Sequence, residues 1–160
     1  MNITNNLKDD ILHAPDWFHQ AIQDKPEDKI FEHMLGNVSY SKWATSSANK
    51  NLIVLLHGGG AHKKWWDPIG PQIKEIGNII AIDLPGMGFS DFREKYSIED
   101  YGNCVTEIIE KEKSDQGLET VNIVGHSLGG HVAGYIATER KDLITNVIII
   151  DTFIRPPDYD

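Results

Sequence analysis

Two stretches of the chain, NLIVLLHGGG (51–60) and NIIAIDLPG (78–86), carry unbroken apolar runs that end in glycine-containing loops. A run with no polar alternation fits a strand buried on both faces, because neither side of the sheet is left to water. Parallel sheets covered on both faces by crossover helices produce such strands. The segments around the two runs supply what the crossovers need. A helix is expected over 65–76, irregular at its start because of Pro68, Gly70 and Pro71. A clearer one is expected over 97–113, with Ile98, Tyr101, Val105, Ile108 and Ile109 on one face and Ser97 with Asp100 as its capping pair. TVNIVGH (120–126) reads as the next strand, SLGGHVAGYIATER as the next helix and NVIIIDTF as the last strand before IRPPDYD. The fold class that follows is α/β, a doubly wound and mostly parallel sheet.

The front of the chain adds to this sheet. KIFEHML and VSYSKWA are expected to be strands, with Gly36-Asn37 as a hairpin turn, which gives an antiparallel edge. APDWFHQAIQ reads as a short helix with Pro15 near its first turn, covering a sheet edge. Residues 1–27 thus form a polar N-terminal segment with a short helix, and 28–160 form the α/β domain.

Charge narrows the range of partners. Fifteen Lys and Arg stand against twenty-four Asp and Glu, a formal net charge of −9. That balance lacks the basic footprint needed for phosphate backbones or anionic membrane, so neither is an expected partner. Cys104 is the only cysteine, which rules out an intrachain disulfide and a cysteine-based metal site. There is no basic start followed by an apolar core, and no run reaches the roughly 18 apolar residues of a spanning helix. A cytoplasmic protein without metal or organic cofactor is the expectation.

In open parallel sheets, chemistry gathers at the carboxyl ends of the strands. Three loops fall there: 57–62, 83–90 and 125–129. The last, GHSLG, places Ser127 at a strand-to-helix turn between Gly125 and Gly129, with His126 before it. A serine hydroxyl is a poor nucleophile unless held exposed beside a base, and a sharp elbow gives that exposure while glycines remove colliding side chains. The N–H of Leu128, at the start of the helix, points to where an oxyanion would form, and Gly59 or Gly60 of the HGGG loop would give the second donor. HGGG is not a P-loop, since no Lys-Ser or Lys-Thr pair follows it.

HGGG, DLPGMGFS, VGHSLGG and VIIID, in this order, resemble the α/β-hydrolase superfamily over about residues 28 to 154. The resemblance implies that Ser127 is the nucleophile, with Leu128 and Gly59 or Gly60 as oxyanion-hole donors, and that these strands are the first six of eight. A serine, where epoxide hydrolases and haloalkane dehalogenases of the superfamily have aspartate, implies ester or related acyl chemistry on a small-molecule substrate. Carbon-carbon bond hydrolysis and perhydrolase activity are variants within the class. The superfamily order is nucleophile, acid, histidine, with the last two usually after the seventh and eighth strands, beyond this chain. The expected domain is therefore incomplete, lacking two strands and the cap. An inactive pseudoenzyme or binding module is the alternative.

The residues present offer no obvious replacement for that histidine. His126 is expected to pack under the elbow, His131 to sit on a helix leading away from the pocket, and His57 to fix its loop by hydrogen bonding. His62 lacks a partner to orient it, and His13, His19 and His33 belong to the front segment. Asp151 closes the last strand, where some relatives place their catalytic acid, although capping the next turn is the simpler role. Asp83 is expected to tie backbone amides, and Trp65 and Trp66 either to join the core or to line an acyl pocket. With its neighbours absent, the last strand is an exposed edge that invites self-association.

Overall fold

The unbroken apolar runs occupy the centre of a six-stranded sheet in the order β1-β2-β4-β3-β5-β6. The computed structural model describes residues 13–45 and 48–153. Its strands are β1 (Glu27–Phe31), β2 (Val38–Trp43), β3 (Asn51–Leu56), β4 (Asn78–Ile82), β5 (Thr120–His126) and β6 (Asn146–Ile150). The pairs β3/β4, β3/β5 and β5/β6 are parallel, while β1/β2 and β2/β4 are antiparallel. The register sets Leu56 opposite both Ile82 and Gly125, and His126 opposite Ile150, so the ends of four parallel strands lie level.

Alternation along the strands feeds two cores. Leu52, Val54, Leu56, Ile80, Ile82, Val121 and Ile123 face two helices, α3 (Ile98–Gln116) and α4 (Leu128–Glu139). Tyr101, Val105, Ile108 and Ile109 of α3 and Val132 and Ile136 of α4 are buried there, each apolar side chain adding about 1.5–3 kcal/mol of transfer free energy. On the opposite face Ile53, Leu55, Ile79 and Ala81 meet Trp43 and Trp66. Ser97 caps α3 as its spacing predicts, accepting from the Asp100 N–H at 3.0 Å. The helix runs to Gln116, beyond the expected end, and stops at Gly117 in a left-handed conformation.

Two expected elements are corrected. The 65–76 segment is no continuous helix but a 3₁₀ turn (Lys63–Trp66), a single short helix α2 (Gly70–Ile73) and a second 3₁₀ turn (Lys74–Ile76). Pro68 and Pro71 cannot donate to a helical ladder, and a Cβ at Gly70 would lie 2.9 Å from the Trp43 ring, so the chain bends to pass close by. The first strand begins at Glu27 and ends at Phe31; EHML of the expected strand is loop instead, with Gly36 at φ 114 and its N–H bonded to the His33 carbonyl. The N-terminal helix α1 (Asp16–Ala21) is anchored just beyond its end, where the Trp43 indole donates to the Asp24 carbonyl at 3.0 Å.

Glu112 is buried within α3, a charge that no periodicity anticipates. It accepts from the Tyr40 hydroxyl at 2.6 Å and pairs with Lys42 at 2.9 Å, which ties α3 to β2. Burial, reinforced by this carboxylate, pushes the Tyr40 phenol above its ordinary range. The two sheet edges differ in chemistry. β1 carries Glu27, Asp28 and Lys29, whereas β6 carries no charge and leaves Ile148 and Ile150 57% and 42% exposed. Among the described residues no helix is long and apolar enough to cross a membrane.

Candidate active site

Ser127 joins β5 to α4 at φ 50 and ψ −114, a region that L residues avoid at a cost of roughly 1–2 kcal/mol. Surrounding bonds hold it there. The Ser127 N–H donates to the Ile150 carbonyl at 3.0 Å, and its carbonyl accepts from Gly130 N–H, His131 N–H and the Thr152 hydroxyl. A Cβ at Gly125 would meet the Gly129 carbonyl and lie 2.7 Å from Gly130 N, and one at Gly129 would lie 2.5 Å from Leu56 O. The helix start is thus packed directly on the ends of β5 and β3, closer than any side chain permits. Gly130 belongs to the same packing, since a Cβ there would strike Thr152. The G-x-S-x-G spacing does not single it out.

The first N–H groups of α4 are nearly all engaged. Gly129 N–H donates to the His57 carbonyl at 3.1 Å, and those of Gly130 and His131 go to Ser127 O. The Leu128 N–H opens the helix and has no acceptor within it. Gly59 lies beside it: a Cβ built there would touch Leu128 at 3.9 Å, whereas one at Gly60, φ 73, meets nothing within 4 Å. Of the two expected donors, Gly59 is the one next to Leu128. Gly58 is closer still to Ser127, with room for no side chain, because its Cβ would lie 2.8 Å from His126 Nδ1 and 3.3 Å from Ser127 Cβ.

His57 fixes this loop, as its position suggests. It is fully buried, and its Nε2 accepts from the Leu84 N–H at 3.1 Å, so the proton sits on Nδ1 and is donated to the Gly58 carbonyl at 2.7 Å. Asp83 ties the neighbouring loop by accepting from the N–H groups of Lys63 at 2.5 Å and Phe89 at 2.9 Å. The buried Lys63 ammonium reaches Ser39 Oγ and the Asp28 carboxylate, both at 2.7 Å, and holds the Asp28 carboxyl below its ordinary value.

Burial pushes the His57 imidazole below its ordinary value of 6.5. With a depressed folded pKa, the unfolded chain binds the proton first as pH falls, so stability is full above about 6.5 and drains away below it. The folded form can accept that proton only by losing the Leu84 bond. Urea midpoints measured between pH 7.5 and 5 should fall with acid in the wild type, and His57→Asn should flatten that part of the slope. An unchanged slope in the variant would assign the acid sensitivity elsewhere.

The remaining expected residues separate. The His126 imidazole packs against Gly58 and stacks on Trp65, ring centroids 5.6 Å apart and planes 15° from parallel, with Nε2 3.9 Å from Asp151 Oδ2. Asp151 has φ 48, and its side chain is 90% exposed. His131 is exposed on α4, with Nε2 3.0 Å from the Phe153 carbonyl, and His62 is exposed. The two tryptophans, read together in the sequence, part company: Trp66 is buried in the second core, whereas Trp65 is 56% exposed. Among the described residues, no histidine hydrogen-bonds the Ser127 hydroxyl. Of the front histidines, His33 lies against Arg93 and Glu107.

Similarity to known proteins agrees with this architecture. The family model for the alpha/beta hydrolase fold matches residues 51–160. An esterase of Mycobacterium tuberculosis is 30% identical over 91% of this chain and 49% of its own length. A pimeloyl-[acyl-carrier protein] methyl ester esterase of Neisseria meningitidis is 30% identical over 64% of this chain and 37% of its own. Among solved structures, a thioesterase domain from the curacin biosynthetic pathway superposes with a TM-score of 0.68 at 22% identity, covering 83% of this chain and 48% of that one. The chain spans half or less of the length of these relatives. By the family match, the sheet order and the helices packed on it, the chain belongs to the alpha/beta hydrolase family.

Proposed function

We propose that the chain carries the nucleophile and oxyanion hole of a serine hydrolase acting on carboxylic esters or related acyl compounds. The observation that supports this most is the strained Ser127, beside an N–H of Leu128 with no helical acceptor and the adjacent Gly59. Strain of this kind persists only where surrounding structure enforces it, and it clusters at sites of chemistry. In this reading Ser127 Oγ attacks the substrate carbonyl carbon and gives its proton to a base, while the Leu128 and Gly59 N–H groups hold the oxyanion. Collapse breaks the bond to the leaving alcohol, which takes up that proton, and water then releases the acyl group.

The relay also needs a histidine base, which the superfamily order places after the nucleophile and acid, and Asp151 is the acid candidate at the end of β6. Relatives named as esterases support ester chemistry over carbon-carbon bond hydrolysis or perhydrolase activity. A cytoplasmic placement goes with the same reading. The exposed β6 edge is the surface through which the chain would associate with itself, so light scattering after size exclusion is expected to give a mass above 18.0 kDa. A clean monomer would remove that part.

The lack of a histidine on the Ser127 hydroxyl favours one other reading, a binding module without turnover. Hydrolysis of 4-nitrophenyl butyrate by the wild type and by Ser127→Ala, in the protein that includes the histidine base, separates the two. A wild-type rate above that of the variant supports the hydrolase, and equal rates support the binding module.

A further inference from the structure

The Trp65 indole is exposed although it stands at the edge of the proposed site. One of its faces is covered by the His126 imidazole, nearly parallel at 15°. The imidazole is in turn packed beside Gly58, whose missing Cβ would fall 2.8 Å from His126 Nδ1 and 3.3 Å from Ser127 Cβ. Ser127, Gly58, His126 and Trp65 therefore form a contiguous series leading from the serine to an open aromatic face.

The hydrogen bonding of His126 suggests what fixes the stack. Nδ1 is buried without a partner among the described residues, and Nε2 is 3.9 Å from a largely exposed carboxylate. A ring oriented by hydrogen bonds would not leave a buried nitrogen unpaired. Packing against the indole and the glycine sets its plane instead, and the imidazole works as a flat support that holds Trp65 upright beside the nucleophile.

We propose that Trp65, supported by His126, is a stacking subsite that selects substrates with a flat, π-bearing acyl group, such as aromatic esters, over saturated ones of equal size. Offset stacking on an indole adds attraction beyond the apolar area covered, and a saturated ring of similar area does not gain it. The inference rests on Ser127 being the nucleophile, because that serine sets which part of a substrate lies over the indole. Trp66 cannot serve, since it is 6% exposed and packed in the second core.

Methyl benzoate and methyl cyclohexanecarboxylate have similar bulk and differ in flatness. Their binding to the 160-residue Ser127→Ala chain, which cannot turn them over, is measured by NMR chemical-shift titration. The benzoate is expected to bind about fivefold more tightly. The preference should persist in Ser127→Ala/Trp65→Phe and fall below about twofold in Ser127→Ala/Trp65→Leu. No preference, no binding of the benzoate, or a preference retained with leucine would overturn the subsite. Hydrolysis of both esters is followed in parallel in the protein that includes the histidine base. Turnover there without the binding preference overturns the subsite and leaves the hydrolase standing; the preference without Ser127-dependent turnover does the reverse.

Discussion

Gly125→Val is expected to destabilise the fold by about 4 kcal/mol or more, enough to leave much of the chain unfolded at 25 °C. Ordinary overpacking costs about 1–3 kcal/mol because side chains move aside. Here the obstacles are the Gly129 carbonyl and the Gly130 nitrogen, backbone atoms of the first turn of α4. That turn cannot retreat, since Gly129 N–H is bonded to His57 O and Gly129 itself lies against the end of β3. Gly134 is the internal control: it lies in the same helix, and a Cβ there meets only Ile149 Cδ1, at an ordinary 3.9 Å. Gly134→Ala should stabilise by about 0.5–1 kcal/mol through helix propensity alone. Urea unfolding followed by circular dichroism reads both. A Gly125→Val chain within 1 kcal/mol of wild type, on the order of an ordinary surface change, would mean that the turn is not packed as described.

Ser127→Ala should lower ester turnover by a factor of roughly 10⁴ or more if the base is present in the protein assayed, because the covalent route then has no nucleophile. The oxyanion donors are backbone groups and stay in place, so a residual rate above buffer is compatible with the loss. The same position offers a readout independent of activity. Alanine keeps the Cβ that is strained at φ 50, and glycine removes it. Ser127→Gly should therefore be more stable than Ser127→Ala by about 1 kcal/mol, even though glycine gains more freedom on unfolding. If the alanine variant proved the more stable, Ser127 would not be a strained residue.

The centre of the molecule was legible because burial on both faces leaves a mark in sequence: Leu52 to Leu56 and Ile79 to Ile82 can hardly be anything but interior strands. The turn at Ser127 was legible for a related reason, since glycines at 125 and 129 are needed where backbone meets backbone. What escaped has no linear signature. The segment after HGGG keeps helical periodicity, but Pro68, Pro71 and the contact of Gly70 with Trp43 break it into three pieces. Glu112 sits among polar residues in sequence, and only the tertiary approach of Tyr40 and Lys42 buries it. Trp65 and Trp66 are identical neighbours, yet one turn of 3₁₀ geometry sends them to opposite environments. Gly58 carries no mark that separates it from Gly59 and Gly60, because its role depends on His126, far away in sequence.

The most direct measurement is peptide-mapping mass spectrometry after incubating the protein, its histidine base included, with 4-nitrophenyl acetate. An acetyl group is predicted on Ser127, located by fragmentation and absent from that peptide in Ser127→Ala, well ahead of acetylation at Ser39, Ser41, Ser90 or Ser97. Acetylation confined to lysines, or spread evenly over the serines, would show that Ser127 occupies a strained turn without being a nucleophile.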